Sequence, residues 1–150
     1  MTSITDADRL DRLEKIIDEL AERSRVEVIV VEGMRDIEAL RKLAVFGNIR
    51  SLQVGNSVMN FCEHLSKEYE RFIIMTDWDR KGGQFAHLLR KAIESCGARY
   101  DDSLRANIAR LTKKSVKDVQ GLPGFIESLQ KAVERNAFAK RSLRRTNRKY

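Results

Sequence analysis

Two stretches of this chain are apolar or β-branched at nearly every position, and each runs straight into a carboxylate. Val26–Val31 reads Val-Glu-Val-Ile-Val-Val before Glu32 and Gly33, and Phe72–Thr76 reads Phe-Ile-Ile-Met-Thr before Asp77, Trp78 and Asp79. A strand wetted on one face alternates apolar with polar residues. Runs lacking that alternation belong to strands covered on both faces, as in a parallel sheet between two layers of helices.

The segments around these runs supply the helices. The spacing of Leu10, Leu13, Ile16, Ile17, Leu20 and Ala21 predicts an amphipathic helix over Thr5–Arg23, opened by Thr5 with Asp8 three residues on. Its apolar face must cover either the sheet or a partner subunit. After the first strand, a helix is expected over Arg35–Val45 with Gly47 as its stop, then a weaker strand over Ile49–Val54 with Leu52 and Val54 inward. A helix over Ser57–Tyr69 leads to the second run. Gly82 and Gly83 then permit a tight turn into a helix over Gly83–Ser95 that buries Phe85, Leu88, Leu89, Ala92 and Ile93. Ala98–Tyr100 makes a short fourth strand. From Asp101 the alternation stops: a helix capped by Asp102 or Ser103 runs to about Lys114, and Pro123 opens the last one.

Repeated strand-helix units imply a three-layer α/β/α fold around a four-stranded parallel sheet. For Glu32 and the two aspartates to act together, the first and third strands must be neighbours, which gives the order 2-1-3-4. The expected organisation is an N-terminal amphipathic helix (1–25), a core (26–100), a C-terminal helical extension (101–138) and a basic tail (139–150).

Charge bears on partners once it is located. The chain carries +7 over 150 residues, but Lys140, Arg141, Arg144, Arg145, Arg148 and Lys149 stand in a segment with no acid, and without them the balance falls to +1. A basic tail of this kind can neutralise phosphates of RNA or DNA, or can be a solvated, disordered end. At 42% hydrophobic and 34% charged, with no run long enough to span a bilayer, the composition is that of a soluble domain with a cytoplasmic address. Cys62 and Cys96 have neither disulfide density nor metal-ligand spacing, and read as small core residues. His64 and His87 stand alone.

The chemistry concentrates after the two buried runs. In an extended chain residues two apart point the same way, so Asp77 and Asp79 can share a side while Trp78 turns to the other, an arrangement able to hold a divalent cation. Asp before a glycine pair is equally ordinary turn chemistry. Glu32 closes the first strand as Asp77 closes the third. Asp36, in the first turn of a helix, either faces that site or complements the helix dipole. The helix starts at Gly33 and Gly82 would add positive dipole ends, and Arg80 and Lys81 are candidates for phosphate contact that could equally be solvated.

Glu32-Gly33-Met34-Arg35-Asp36 after one buried strand, with Asp77-Trp78-Asp79-Arg80-Lys81-Gly82 after another, resembles the Toprim domain. That domain is shared by bacterial-type primases, type IA and type II topoisomerases and a ribosomal-RNA maturation nuclease. The resemblance spans about Val26 to Tyr100 and is closest to small stand-alone members. It implies Glu32 as general acid or base, Asp77 and Asp79 as ligands of magnesium or manganese, and Asp36 as the acid of the primase-like form of the first motif. Glu32 and Asp36 are placed with the metal as well.

The same resemblance narrows the activity. Tyr69, Tyr100 and Tyr150 are poorly placed for a topoisomerase nucleophile, and these residues include neither a second polymerase half nor a zinc module. Phosphodiester hydrolysis or RNA processing is the expectation. The competing one is a non-catalytic module that docks on RNA, or on a larger protein or ribonucleoprotein assembly, through the tail. A haloacid-dehalogenase-like phosphatase is suggested by Asp-x-Asp alone, but there the pair follows the first strand and is succeeded by Thr.

Overall fold

A computed structural model describes residues 3–52, 55–112 and 115–148. Six helices and four strands follow in the order α1 (Asp6–Arg23), β1 (Val28–Val31), α2 (Met34–Lys42), β2 (Asn48–Ser51), α3 (Val58–Leu65), β3 (Arg71–Ile74), α4 (Arg80–Ser95), β4 (Arg99–Asp101), α5 (Ser103–Thr112) and α6 (Leu122–Arg148). The sheet is parallel throughout, with strand order β2-β1-β3-β4, as the separation of acids along the sequence required. Among the described residues no helix is long and apolar enough to cross a membrane.

Side-chain alternation along the central strands divides the core into two layers. Ile29 and Val31 of β1, with Ile73 and Met75 from β3 and its extension, pack against Leu13, Ile17 and Leu20 of α1, Leu40 of α2, Ile108 of α5 and Ile126 of α6. Val28, Val30, Phe72 and Ile74 face the other way, onto Cys62 and Leu65 of α3 and Ala86, Leu89 and Ile93 of α4. All four residues of β1 are buried, which is why its sequence carries no polar alternation. The open question about α1 is thus decided: its apolar face covers the sheet. Thr5 caps it, the hydroxyl oxygen accepting the Asp8 N–H at 3.1 Å.

Several local expectations are corrected. α2 ends at Lys42, before Gly47, because Ala44 takes the left-handed conformation (φ 67°) and turns the chain there. Gly47 serves instead to let the backbone pass Ser24, whose hydroxyl and carbonyl would overlap a Cβ at that position. α4 begins before its glycines, capped by Asp79, so Gly82 and Gly83 lie within its first turn instead of forming a turn ahead of it. The helix is also rotated from the expected face: Leu88 is 52% exposed and Ala86 is buried in its place. Val54 and Lys114 lie outside the described residues.

The basic segment, expected as a tail separate from the last helix, continues α6 through Arg148 without a break. Few apolar residues there are buried, but Ala, Lys, Arg and Leu are strong helix formers, and cations near a helix C-terminus complement its dipole. Lys149 and the side chain of Arg148 lie outside what the structure describes.

Candidate functional site

The register of the sheet sets the site. Val30 pairs with Ile74 across β1 and β3, and the ladder is extended by the Met75 N–H donating to the Val30 carbonyl at 2.9 Å. Both chains leave the sheet side by side at its carboxyl edge, where open α/β sheets place their ligands. Glu32 and Asp77 meet there: Glu32 Oε2 accepts the Asp77 N–H at 2.7 Å.

Past β3, nearly every polar group is engaged. Buried Thr76 donates its hydroxyl to the Gly82 carbonyl at 2.8 Å, and Arg105 of α5 donates to the carbonyls of Thr76 (2.9 Å) and Asp77 (2.7 Å). Asp77 Oδ1 accepts the Val119 N–H at 3.0 Å. Trp78 points the other way, as the two-residue alternation requires. Its backbone N–H reaches Lys117 O at 2.8 Å, and its indole N–H reaches Val116 O at 2.6 Å. The segment between α5 and α6 is therefore stitched to the acidic loop from both sides. Replacing Trp78 with Phe would keep the half-buried ring but leave the Val116 carbonyl without its indole donor. We expect a loss of about 1 kcal/mol, with faster hydrogen exchange at the Val119 amide as its local signature.

The acids occupy distinct positions. Asp79 is exposed and turned toward the start of α4, Oδ1 accepting the Gly82 N–H at 2.7 Å. Asp36 is 2% exposed, and its Oδ2 accepts the Gly33 N–H at 3.0 Å. Gly33 has no side chain to return that bond, so only half of a capping box is made. Asp36 Oδ1 has no hydrogen-bond partner, although the Gln120 side chain lies near enough to favour its charged form. Asp36 thus sits beneath the site as a helix cap. Among the described residues no group of three or more His, Cys, Asp or Glu side chains is placed to hold a metal ion. Glu32 and Asp77 meet at the carboxyl edge of the sheet, whereas Asp79 Oδ1 is taken up by the Gly82 N–H as the cap of α4.

Electrostatics mark Asp77 as the strained member. Burial pushes its carboxyl up to about 7; the Val119 N–H works against this, while the negative charges of Glu32 and Asp36 add to it. Asp36 is raised for the same first reason, burial, with Glu32 and Asp118 contributing. Arg105 is drawn below its usual range by burial and by Arg90, although Asp102, Glu32 and Asp77 favour its charge. Crowded carboxylates in a partly dry site call for a proton or a cation.

A hydrated magnesium ion fits these donors. The acids provide hard oxygens, and Glu32 Oε2, Asp77 Oδ1 and Asp79 Oδ1 are the atoms held by backbone N–H groups, which leaves a second oxygen on each. Magnesium keeps several waters and needs only one or two carboxylates. Among the described residues no cage of three direct protein ligands forms. Arg80 and Lys81 are exposed at the start of α4, Gly33 is the N-cap of α2, and Gly82 lies in the first turn of α4. Arg105, Asp118, Val119 and Gln120 were not expected here. They lie more than twenty residues beyond the second motif, in a region where the sequence shows no strand and no acid pair, and only packing brings them in.

Comparison with known proteins agrees with this geometry. The family model of the Toprim domain matches residues 27–112, which takes in α5 and so Arg105. The chain is 34% identical over 123 residues to a UPF0292 protein of Methanosarcina barkeri, covering 81% of this chain and 85% of that one. It is 34% identical to a UPF0292 protein of Pyrococcus horikoshii, over 74% of this chain and 81% of that one. A solved structure of an Aquifex aeolicus protein superposes with a TM-score of 0.63 at 28% identity, covering 72% of this chain and 95% of that one. Two acidic motifs closing adjacent parallel strands, the 2-1-3-4 sheet and these matches together establish that the chain belongs to the Toprim domain family.

Proposed function

We propose that this protein is a magnesium-dependent phosphodiesterase acting on nucleic acid, by hydrolysis or RNA processing. Family membership supplies the coarse class, metal-dependent chemistry on nucleic acid. The observation that carries the finer reading is the hydrogen bond from the Asp77 N–H to Glu32 Oε2, which places the acid ending β1 against the backbone of the acid ending β3.

In this reading Asp77 and Asp79, with Glu32, would hold the metal, and Asp36 fixes the start of α2 by accepting the Gly33 N–H. Magnesium, or manganese in its place, would offset phosphodiester charge and lower the pKa of a bound water. Glu32 is held by the Asp77 N–H so that its other oxygen can take or return a proton. Arg80 and Lys81, with the amino ends of α2 and α4 at Gly33 and Gly82, would receive the flanking phosphates. Arg105 keeps the Thr76 and Asp77 carbonyls turned away from the substrate.

The test is turnover. Purified protein with magnesium or manganese should cleave a structured RNA, a single-stranded DNA or a duplex, and Glu32→Gln should lower the rate at least about a hundredfold without altering the melting temperature. Binding of nucleic acid with no cleavage of any of the three would instead support a non-catalytic docking module. The observation favouring that second reading is the engagement of Asp79 in a helix cap.

A further inference from the structure

The C-terminal part of α6 carries a cationic face that the acidic site does not use. Every residue from Glu134 to Thr146 is exposed, and from Arg135 to Thr146 there is no acid. Lys140, Arg141, Arg144 and Arg145 take part in none of the ion pairs among the described residues, in contrast to Lys131 earlier on the same helix, which pairs with Glu127 at 3.3 Å. At 100° per residue these four form two adjacent i, i+4 rows within an arc of about 140°. Exposed Ala137 lies in the middle of that arc, so the cations stand on its flanks and the helix surface between them is low.

Two features separate the possible partners. Phe138 and Leu143 are 69% and 64% exposed, but they lie about 140° apart around the helix. Leu143 faces a groove it shares with Thr5, Asp6, Val133, Ala137 and Lys140, so the start of α1 borders one edge of the cationic arc. No single apolar stripe exists to enter a lipid surface, which an interfacial helix requires. A helix about 10–12 Å across with cations on both flanks matches the B-form major groove, about 12 Å wide and walled by phosphates. The A-form major groove is too deep and narrow to admit it.

We propose that residues 135–146 of α6 form a helical arm that docks in the major groove of duplex DNA, with Lys140, Arg141, Arg144 and Arg145 on backbone phosphates. This contact is independent of metal at the acidic site and sequence-tolerant, since phosphates carry the binding.

The experiment measures binding of the full chain to a mixed-sequence DNA duplex, in EDTA, as a function of salt. Working without metal keeps the outcome distinct from that of the phosphodiesterase reading. Log affinity should fall with log salt at a slope of about −3 to −4, and Lys140→Gln with Arg144→Gln, or Arg141→Gln with Arg145→Gln, should each reduce the slope by about 2. Ala139→Pro keeps every charge and breaks the helix outside the packed core, and should weaken binding about tenfold or more. Unchanged affinity in Ala139→Pro would overturn the helical arm, leaving only a charged segment. Equal or tighter binding to an RNA duplex of the same sequence, or to vesicles containing phosphatidylserine, would overturn the choice of partner.

Discussion

Asp77→Asn is expected to cost at least about a hundredfold in manganese or magnesium affinity while making the metal-free protein more stable at neutral pH. Loss of an outer-shell partner already costs 10–100-fold, and a direct ligand costs more. The stability gain follows from proton linkage. In the unfolded chain this carboxyl titrates near 3.8, but burial raises it to about 7 in the fold. Between those two values the native state holds more protons than the unfolded state, so Asp77's contribution to stability falls as pH rises from about 4 to about 7 and levels off above. An asparagine accepts the same Val119 N–H and carries no charge to desolvate. Discounted for partial solvent exposure, the gain at pH 7 is about 1–2 kcal/mol, shrinking toward zero near pH 4. Chemical denaturation in EDTA at several pH values measures it, and calorimetric titration with manganese measures the affinity. A variant less stable at pH 7, or one binding manganese as before, would remove Asp77 from the role assigned to it.

Gly82→Ala should be among the most damaging single-methyl changes in the chain, while Gly83→Ala should be harmless or stabilising. A Cβ on Gly82 would overlap the carbonyl of Asp77, a backbone atom held by Arg105 and unable to yield. The overlap could be relieved only by pushing α4 away from the β3 exit, breaking the Thr76–Gly82 bond or the Asp79 cap. We expect about 3 kcal/mol or more of lost stability and impaired metal binding in whatever fraction folds. The nearest atom to a Cβ on Gly83 is Arg105 Nη2 at 3.9 Å, so alanine there meets ordinary contact and gains up to about 1 kcal/mol of helix propensity. Paired melting curves decide the matter; equal effects of the two substitutions would show that the Asp77–Gly82 approach is not tight.

These adjacent glycines show where sequence reasoning stops. Side by side they look like one turn signal, and their spacing cannot reveal that one faces a carbonyl across the helix start while the other faces a movable side chain. Asp77 and Asp79 present the same difficulty: period-two geometry places both on one side of an extended chain, but the helix begins immediately after Asp79, and an orphan amide of its first turn, the Gly82 N–H, takes the carboxylate. Glu32, which accepts the Asp77 N–H, lies forty-five residues earlier in the chain. The strand order was legible because two acids, each closing a buried run, can act together only if those strands are neighbours.

The near-continuous apolar runs at Val26–Val31 and Phe72–Thr76 determined the two-sided parallel sheet, although Val26 proved 80% exposed and β1 begins at Val28, and the placement of acids after those runs determined which strands had to be neighbours. The periodicity of the intervening segments determined where the helices lie, though not where α3 ends or which face α4 buries. Tertiary structure alone decided that Asp79 caps a helix, that Arg105 and the segment around Val119 complete the loop, and that the basic residues ride on a continuous α6. The reason is physical: hydrophobic periodicity is a local property of the chain, whereas the partner of a given carboxylate is set by distances between segments that no local pattern encodes.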